Sequence, residues 1–351
     1  MRKLYDRAIL FIKLLNFDIA SDDEFERVFL NIIGMSVKDN TYKFAMARFL
    51  LDYSNRYDKL HIDYSTIAAY FLKYYWTQVC KLKMKHASQR NKQPEIVTII
   101  EREFTKPYYP QTFNKIKVKE PKKISRCVAQ IEKKCFHNVV WRFQKVKVNK
   151  SVESKLFFDY KIARVVNSNK KYVDLDYGIY LNPNAMQFLK KFNVLLMRSV
   201  ILEWAKFLES RNVGLPKVIL KTDGEKIPRG NLTKYRQLLE PFFPDCFYCG
   251  CSLSSDKRQT HVEHVIPFDY IAEDDIWNLT LVCQKCNLKK LGALPPKDYL
   301  KKLIIRNKEY SVQIPELEKS LVRLDMDFEK TIRRHYDNAH TQGYMIVKKF
   351  L

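Results

Sequence analysis

Residues 246–287 read CFYCGCSLSSDKRQTHVEHVIPFDYIAEDDIWNLTLVCQKCN, and a C-x-x-C pair stands at each end: Cys246 with Cys249, and Cys283 with Cys286. Zinc takes four ligands tetrahedrally, so two such pairs supply a closed, structural Zn²⁺ site with no open position. Unpaired core thiols or disulfides are the alternative, and the doubled C-x-x-C spacing speaks against both. The 33 residues between Cys249 and Cys283 exceed the roughly 15–20 of a zinc ribbon, so a small independent element belongs between the knuckles. Cys251 falls outside the pattern and reads as a spare thiol. Cys80, Cys127 and Cys135, scattered among apolar residues, read as core.

The inserted element reads as strand, loop, strand, helix. RQTHVEHVI is a short strand stopped by Pro267, which cannot donate to a ladder. NLTLVC alternates with period two, and CNLKKLG opens a helix that Gly292 is placed to end. Strand alternation sets His261 and Glu263 on one face and His264 on the other, so Glu263 and His264 can act together only if the strand bends near Pro267.

The residue types point to phosphodiester hydrolysis, which needs an activated water, a grip on the phosphate and relief of charge on the leaving oxygen. Histidine is the side chain whose unperturbed pKa, about 6.5, suits a general base at neutral pH, and His264 is the candidate for that role. Glu263 and Asn287 offer one carboxylate and one amide oxygen, a sparse hard-oxygen set that suits Mg²⁺ or Mn²⁺. Asn278 is the candidate that holds the loop and aims His264. Asn287 could instead be a helix cap, and Asn278 a plain turn residue. His261 is an accessory candidate, with an exposed strand histidine as its rival. Glu273, Asp274 and Asp275 read as a solvated turn and not as ligands.

These residues resemble the HNH endonucleases of the ββα-metal fold. The quoted stretches are CFYC, EHVIP, WNLTLVCQKCNLKK and ALPPKDYL, covering about residues 229–310. The resemblance implies that Glu263 and Asn287 bind the catalytic metal, that His264 activates water and that Asn278 orients the loop. Where the family usually carries Asp, this chain has Glu263, whose carboxylate reaches one methylene further. TYKFAMARFLLDYS and ILEWAKFLESRN also look like parts of bacterial restriction or phage-defence nucleases, which implies that context and a DNA partner, double-stranded in form. A zinc-stabilised binding or scaffold subunit with a silent site, or an RNA-directed nuclease of the same fold, are the rival readings.

Formal charge is +24 over 351 residues, a balance that points to polyanions. The HNH-like stretch 241–292 is slightly acidic, whereas residues 111–150 carry twelve basic residues against Glu120 and Glu132. Lys115, Lys117, Lys119, Lys122, Lys123 and Arg126 are therefore the nucleic-acid-binding candidates, with a solvated basic face as the alternative. TKPYYPQTF just upstream offers aromatic rings for stacking on bases.

The expected fold class is α+β and multidomain. A helical amino-terminal domain spans 1–88 and a basic, mixed α/β domain, for nucleic-acid binding or regulation, spans 89–228. The nuclease module spans 229–310, and a helical tail spans 311–351. Residues 183–212 are expected to form one long helix, and 315–339 one closing helix. MRKLYDRAILFIKLLNF carries Asp6, Arg7 and Lys13 and is not read as a signal peptide. No apolar run approaches the ~20 residues of a membrane span. With zinc-binding thiols kept reduced, this implies a cytoplasmic protein; residues 1–228 are expected to restrain or target it by reading a sequence, a base modification or a regulatory protein partner.

Overall fold

The computed structural model describes residues 20–35, 38, 40–87, 93–104, 112–148, 150–153, 156–161, 178–223, 230–256 and 258–350. The amino-terminal stretch read for a signal peptide, most of TKPYYPQTF and most of the linker KTDGEKIPRGN lie outside the described residues. The chain divides into two compact units, residues 1–81 with 85–211, and residues 82–84 with 212–351.

The first unit is helical with small sheets. α1 (Asp22–Gly34) starts at Ser21, whose hydroxyl accepts from the Glu24 amide, and three acids sit at the positive end of its dipole. α2 (Tyr42–Ser54) and α3 (Tyr64–Trp76) are the aromatic-rich segments expected to be helical, and α3 runs on into a π turn at Thr77–Lys81. Between them lies the short strand β1 (His61–Asp63), whose last residue caps α3 by accepting from the Thr66 amide. In the mixed region helices come first: α4 (Glu95–Glu103), α5 (Phe113–Lys119) and α6 (Pro121–Phe143). The hairpin of β2 (Lys145–Val148) and β3 (Lys150–Glu153) follows, then β4 (Phe158–Lys161) and β5 (Gly178–Leu181). β5 lies between β1 and β4 in an antiparallel sheet.

The long helix expected over 183–212 is two helices, α7 (Pro183–Lys191) and α8 (Asn193–Glu209). The chain leaves helical geometry at Phe192, and the Asn193 amide side chain turns to donate to the Leu51 carbonyl. Phe25, Phe44, Phe71, Tyr75 and Trp204 fill the core. A polar cluster is buried among them: the Thr41 hydroxyl bridges the Tyr75 hydroxyl at 2.6 Å and His86 Nδ1 at 3.0 Å.

The second unit opens with α9 (Val218–Asp223) and α10 (Thr233–Leu239). The strand–loop–strand–helix expected between the knuckles is present. β6 (Thr260–His264) leads through α11 (Phe268–Ile271) and a 3₁₀ turn at Ile276–Asn278 into β7 (Leu279–Cys283) and α12 (Gln284–Lys290). β6 and β7 pair antiparallel from Thr260↔Cys283 to His264↔Leu279. α13 (Lys297–Tyr310) follows.

The closing helix is also two, α14 (Pro315–Leu324) and α15 (Phe328–Thr341). Asp325 and Asp327 make the break, because Asp327 caps α15 through the Lys330 amide and Asp325 accepts from the Thr331 hydroxyl. The chain then returns to the module. Leu294 pairs with the backbone of Met345 and Val347, and the Phe350 ring stacks on Tyr248 with centroids 3.9 Å apart. Among the described residues no helix is long and apolar enough to cross a membrane.

Candidate active site

The thiols of Cys246, Cys249, Cys251 and Cys283 lie within 4.8 Å of one another, with Cys249 3.4 Å from Cys251 and 3.8 Å from Cys283. Four thiolates around zinc, at a Zn–S length of about 2.3 Å, stand about 3.8 Å apart, so the donor set fits the ion in chemistry and in size. Cys286 is buried beside them, and its thiol interacts with those of Cys249, Cys246 and Cys283.

Five sulfurs therefore converge where the motif counted four, and Cys251 is not a thiol apart. Gly250, at φ +71°, turns the chain back so that the Cys246 amide donates to the Cys251 carbonyl at 2.8 Å. Burial works against ionisation of Cys249. Hydrogen bonds from the Cys251 backbone and the neighbouring thiols outweigh it and bring that pKa down to about 6. The Cys283 amide donates to the Cys246 sulfur at 3.4 Å, and the Phe247 amide to the Leu281 carbonyl, which fastens the first knuckle to the hairpin.

His264 ends β6 and is 6% exposed. Asn278, wholly buried, secures the backbone just beyond it: its side-chain oxygen accepts from the Ile266 amide and its NH₂ donates to the Ile266 carbonyl, both at 2.8 Å. The Val265 amide donates to the Asn278 carbonyl. The 3₁₀ turn is in turn pinned by α13. The buried Arg306 guanidinium donates to the carbonyls of Leu279, Ile276 and Trp277, and Asn307 donates to that of Trp277. Burial lowers the Arg306 pKa to about 9, which leaves it charged at neutral pH.

On the neighbouring strand position Glu263 accepts from Lys290 Nζ at 2.9 Å, a lysine whose side chain is fully buried in α12. Asn287 lies inside α12, half-buried. The helix begins two residues earlier than expected, with Cys283 at its N-cap, so Asn287 is not the cap. Cys283 thus serves the thiol cluster and opens the helix at once. His261 is half-buried, with Nε2 lacking a hydrogen-bond partner. Among the described residues no hydrogen bond joins Glu263, His264 and Asn287 to one another.

The acidic turn is held by partners at all three residues, although Glu273 stays partly exposed. Glu273 pairs with Lys217, Asp275 with Arg323, and Asp274 with His264 Nε2 at 2.9 Å. Lys290, Asp274 and Arg306 were not singled out from sequence. Lys290 could have been found from its place one helical turn after Asn287; a buried arginine on a later helix gives no such signal.

The basic candidates sit in the first unit, at the α5–α6 elbow. Lys115, Lys117, Lys119 and Lys122 are exposed, with no ion pair among the described residues. Lys123 pairs with Glu120 and Arg126 with Glu103.

Residues 246–291 match the model of the family described as HNH endonuclease. The segment is an HNH module. No curated protein and no solved structure matches the chain. The HNH match covers both cysteine pairs, the hairpin and all of α12, and it marks the protein as carrying nuclease chemistry.

Proposed function

We propose that this protein is a metal-dependent endonuclease that hydrolyses double-stranded DNA and leaves 5′-phosphate and 3′-hydroxyl ends. One observation carries the reading: the HNH match falls on the one hairpin and helix where Glu263, His264, Asn278 and Asn287 stand, framed by a thiol cluster of zinc dimensions. Zn²⁺ at the thiols is structural and fixes α12 against β7.

Glu263 and Asn287 hold the catalytic metal, and their hard oxygens fit Mg²⁺ or Mn²⁺. When bound, that ion neutralises charge on the phosphate and the leaving oxygen. His264 takes a proton from water, the water oxygen bonds to phosphorus, and the bond from phosphorus to the 3′-oxygen breaks. Asn278 holds the chain that carries His264, and His261 is an accessory contact to phosphate.

The exposed lysines of the α5–α6 elbow supply sequence-blind affinity. We place the enzyme in the bacterial cytoplasm in restriction or anti-phage defence, with residues 1–228 or a regulatory protein restraining it.

The experiment is cleavage of supercoiled plasmid with and without Mg²⁺. His264→Ala should abolish cutting while keeping zinc, and retained cutting would refute the assignment. Tight binding with no cleavage under any divalent ion would favour a silent scaffold, and preferential cleavage of RNA would reassign the substrate. Replacing Lys115, Lys117, Lys119 and Lys122 with Gln should reduce the slope of log affinity against log salt by about 0.9 for every phosphate no longer neutralised. Equal cleavage of phage and host DNA by the full chain would exclude built-in control.

A further inference from the structure

We infer that Asp274 is the positioning residue for the His264 imidazole, and that the backbone of Gly230 holds Asp274 in place; this rests on the reading of His264 as general base. The geometry is a relay. Asp274 Oδ1 lies 2.9 Å from His264 Nε2, and Asp274 Oδ2 accepts from the Gly230 amide at 2.6 Å. Both side chains in the pair are sheltered, with 13% of Asp274 and 7% of His264 exposed. The Phe268 ring packs steeply against the imidazole, with centroids 5.1 Å apart and planes at 64°.

The turn is tethered on either side of the carboxylate, because its neighbours are tied in different directions. Glu273 goes to Lys217 on the segment before α9, and Asp275 to Arg323 on α14. The Asp275 carbonyl also accepts from the Asn278 amide. The carboxylate is therefore fixed at both oxygens and on both sides along the chain.

The chemistry follows from the donor count. A carboxylate accepts only, so the hydrogen between Asp274 and His264 sits on Nε2 in the neutral ring. The lone pair is then on Nδ1, the atom left to take the proton from water. When the ring gains that proton, the adjacent carboxylate stabilises the resulting cation without itself being protonated.

Gly230 completes the device. A Cβ added there would meet Asp274 Oδ2 at 3.0 Å, so any side chain presses on the carboxylate that sets the ring. Residue 230 precedes the matched segment 246–291. The base is thus oriented in part by chain outside the matched segment.

The test uses the full-length, zinc-loaded protein with a short DNA duplex and Mg²⁺. ¹⁵N NMR of the parent should show the Nε2–H tautomer for His264, and the Nδ1–H tautomer would overturn the inference with no variant needed. Asp274→Asn has only one oxygen for two donors, so His264 or Gly230 loses its acceptor. It should lower kcat by about 10–10⁴-fold, the span of losses for groups that orient a histidine, leave KM within about twofold, and mix the His264 tautomers. Gly230→Ala should lower kcat in the same sense with Asp274 unchanged.

Parental kcat in Asp274→Asn while His264→Ala is dead would overturn the positioning role and leave the base assignment standing. A raised KM with parental kcat would also overturn it. Full activity in His264→Ala would overturn the reading beneath both. Should Asp274→Asn fail to fold, Asp274→Ser is read by the same kcat and tautomer measurements.

Discussion

Asn278→Ala probes the joint on which the hairpin turns. In the parent the side chain satisfies both the amide and the carbonyl of Ile266 at 2.8 Å, in a place that water does not reach. Truncation removes two hydrogen bonds and leaves a buried donor and a buried acceptor without partners. Each orphaned group costs about 1–3 kcal/mol, so the expected loss is about 2–6 kcal/mol. Asn278→Asp keeps the shape and the acceptor, yet should still lose at least about 2 kcal/mol, because it removes the donor and buries a charge. Native-state hydrogen exchange reads the effect locally: at about 1.4 kcal/mol per tenfold, the Ile266 amide should exchange at least about 30-fold faster. Cleavage should fall with it, since the same amide seats the backbone after His264. A folded Asn278→Ala protein with Ile266 exchange within threefold of the parent would refute the reasoning.

Cys283→Ser, or a strong chelator, should strip zinc and unfold residues 212–351, because a structural site's binding energy is folding energy; metal analysis and circular dichroism check it. Lys290→Met removes the cation from Glu263 and should destabilise the metal-free protein by about 2 kcal/mol, a deficit that added Mg²⁺ or Mn²⁺ should narrow in thermal melts. His86 is buried and held neutral, its pKa lowered by burial to about 3. Below an unfolded pKa of about 6.5 the unfolded chain takes up a proton that the folded chain refuses, so stability falls as pH falls from there toward 3. Between pH 7 and pH 5 this costs about 2 kcal/mol, and His86→Gln should flatten that stretch of the stability–pH curve.

The hairpin and the thiol cluster were legible because they are written locally. A C-x-x-C spacing fixes two sulfurs whatever surrounds them, and NLTLVC declares its own period. What escaped depended on contacts across the fold. Asp274 looks like any acid in a turn until a backbone amide 44 residues earlier is brought to it. Cys251 looks like an extra thiol until Gly250 reverses the chain. Arg306 looks like a surface charge on an amphipathic helix, and only the packed structure turns its guanidinium onto three carbonyls. The helix breaks at Phe192 and Asp325 escaped for a different reason: apolar periodicity runs across both, and the side-chain bonds that interrupt it do not show in a pattern of hydrophobicity.

The return of the chain end onto the first knuckle has a consequence for biosynthesis. Tyr248, between the cysteines of the first pair, receives the Phe350 ring, and the Phe350 carbonyl accepts from Lys289 on the helix that carries Asn287. Those contacts can form only after residue 350 has left the ribosome, when residues 1–211 have long been available to fold. The cutting element is thus completed only after the first unit has been synthesised, and a ribosome stalled before residue 350 holds a module still missing the ring that packs on its first knuckle.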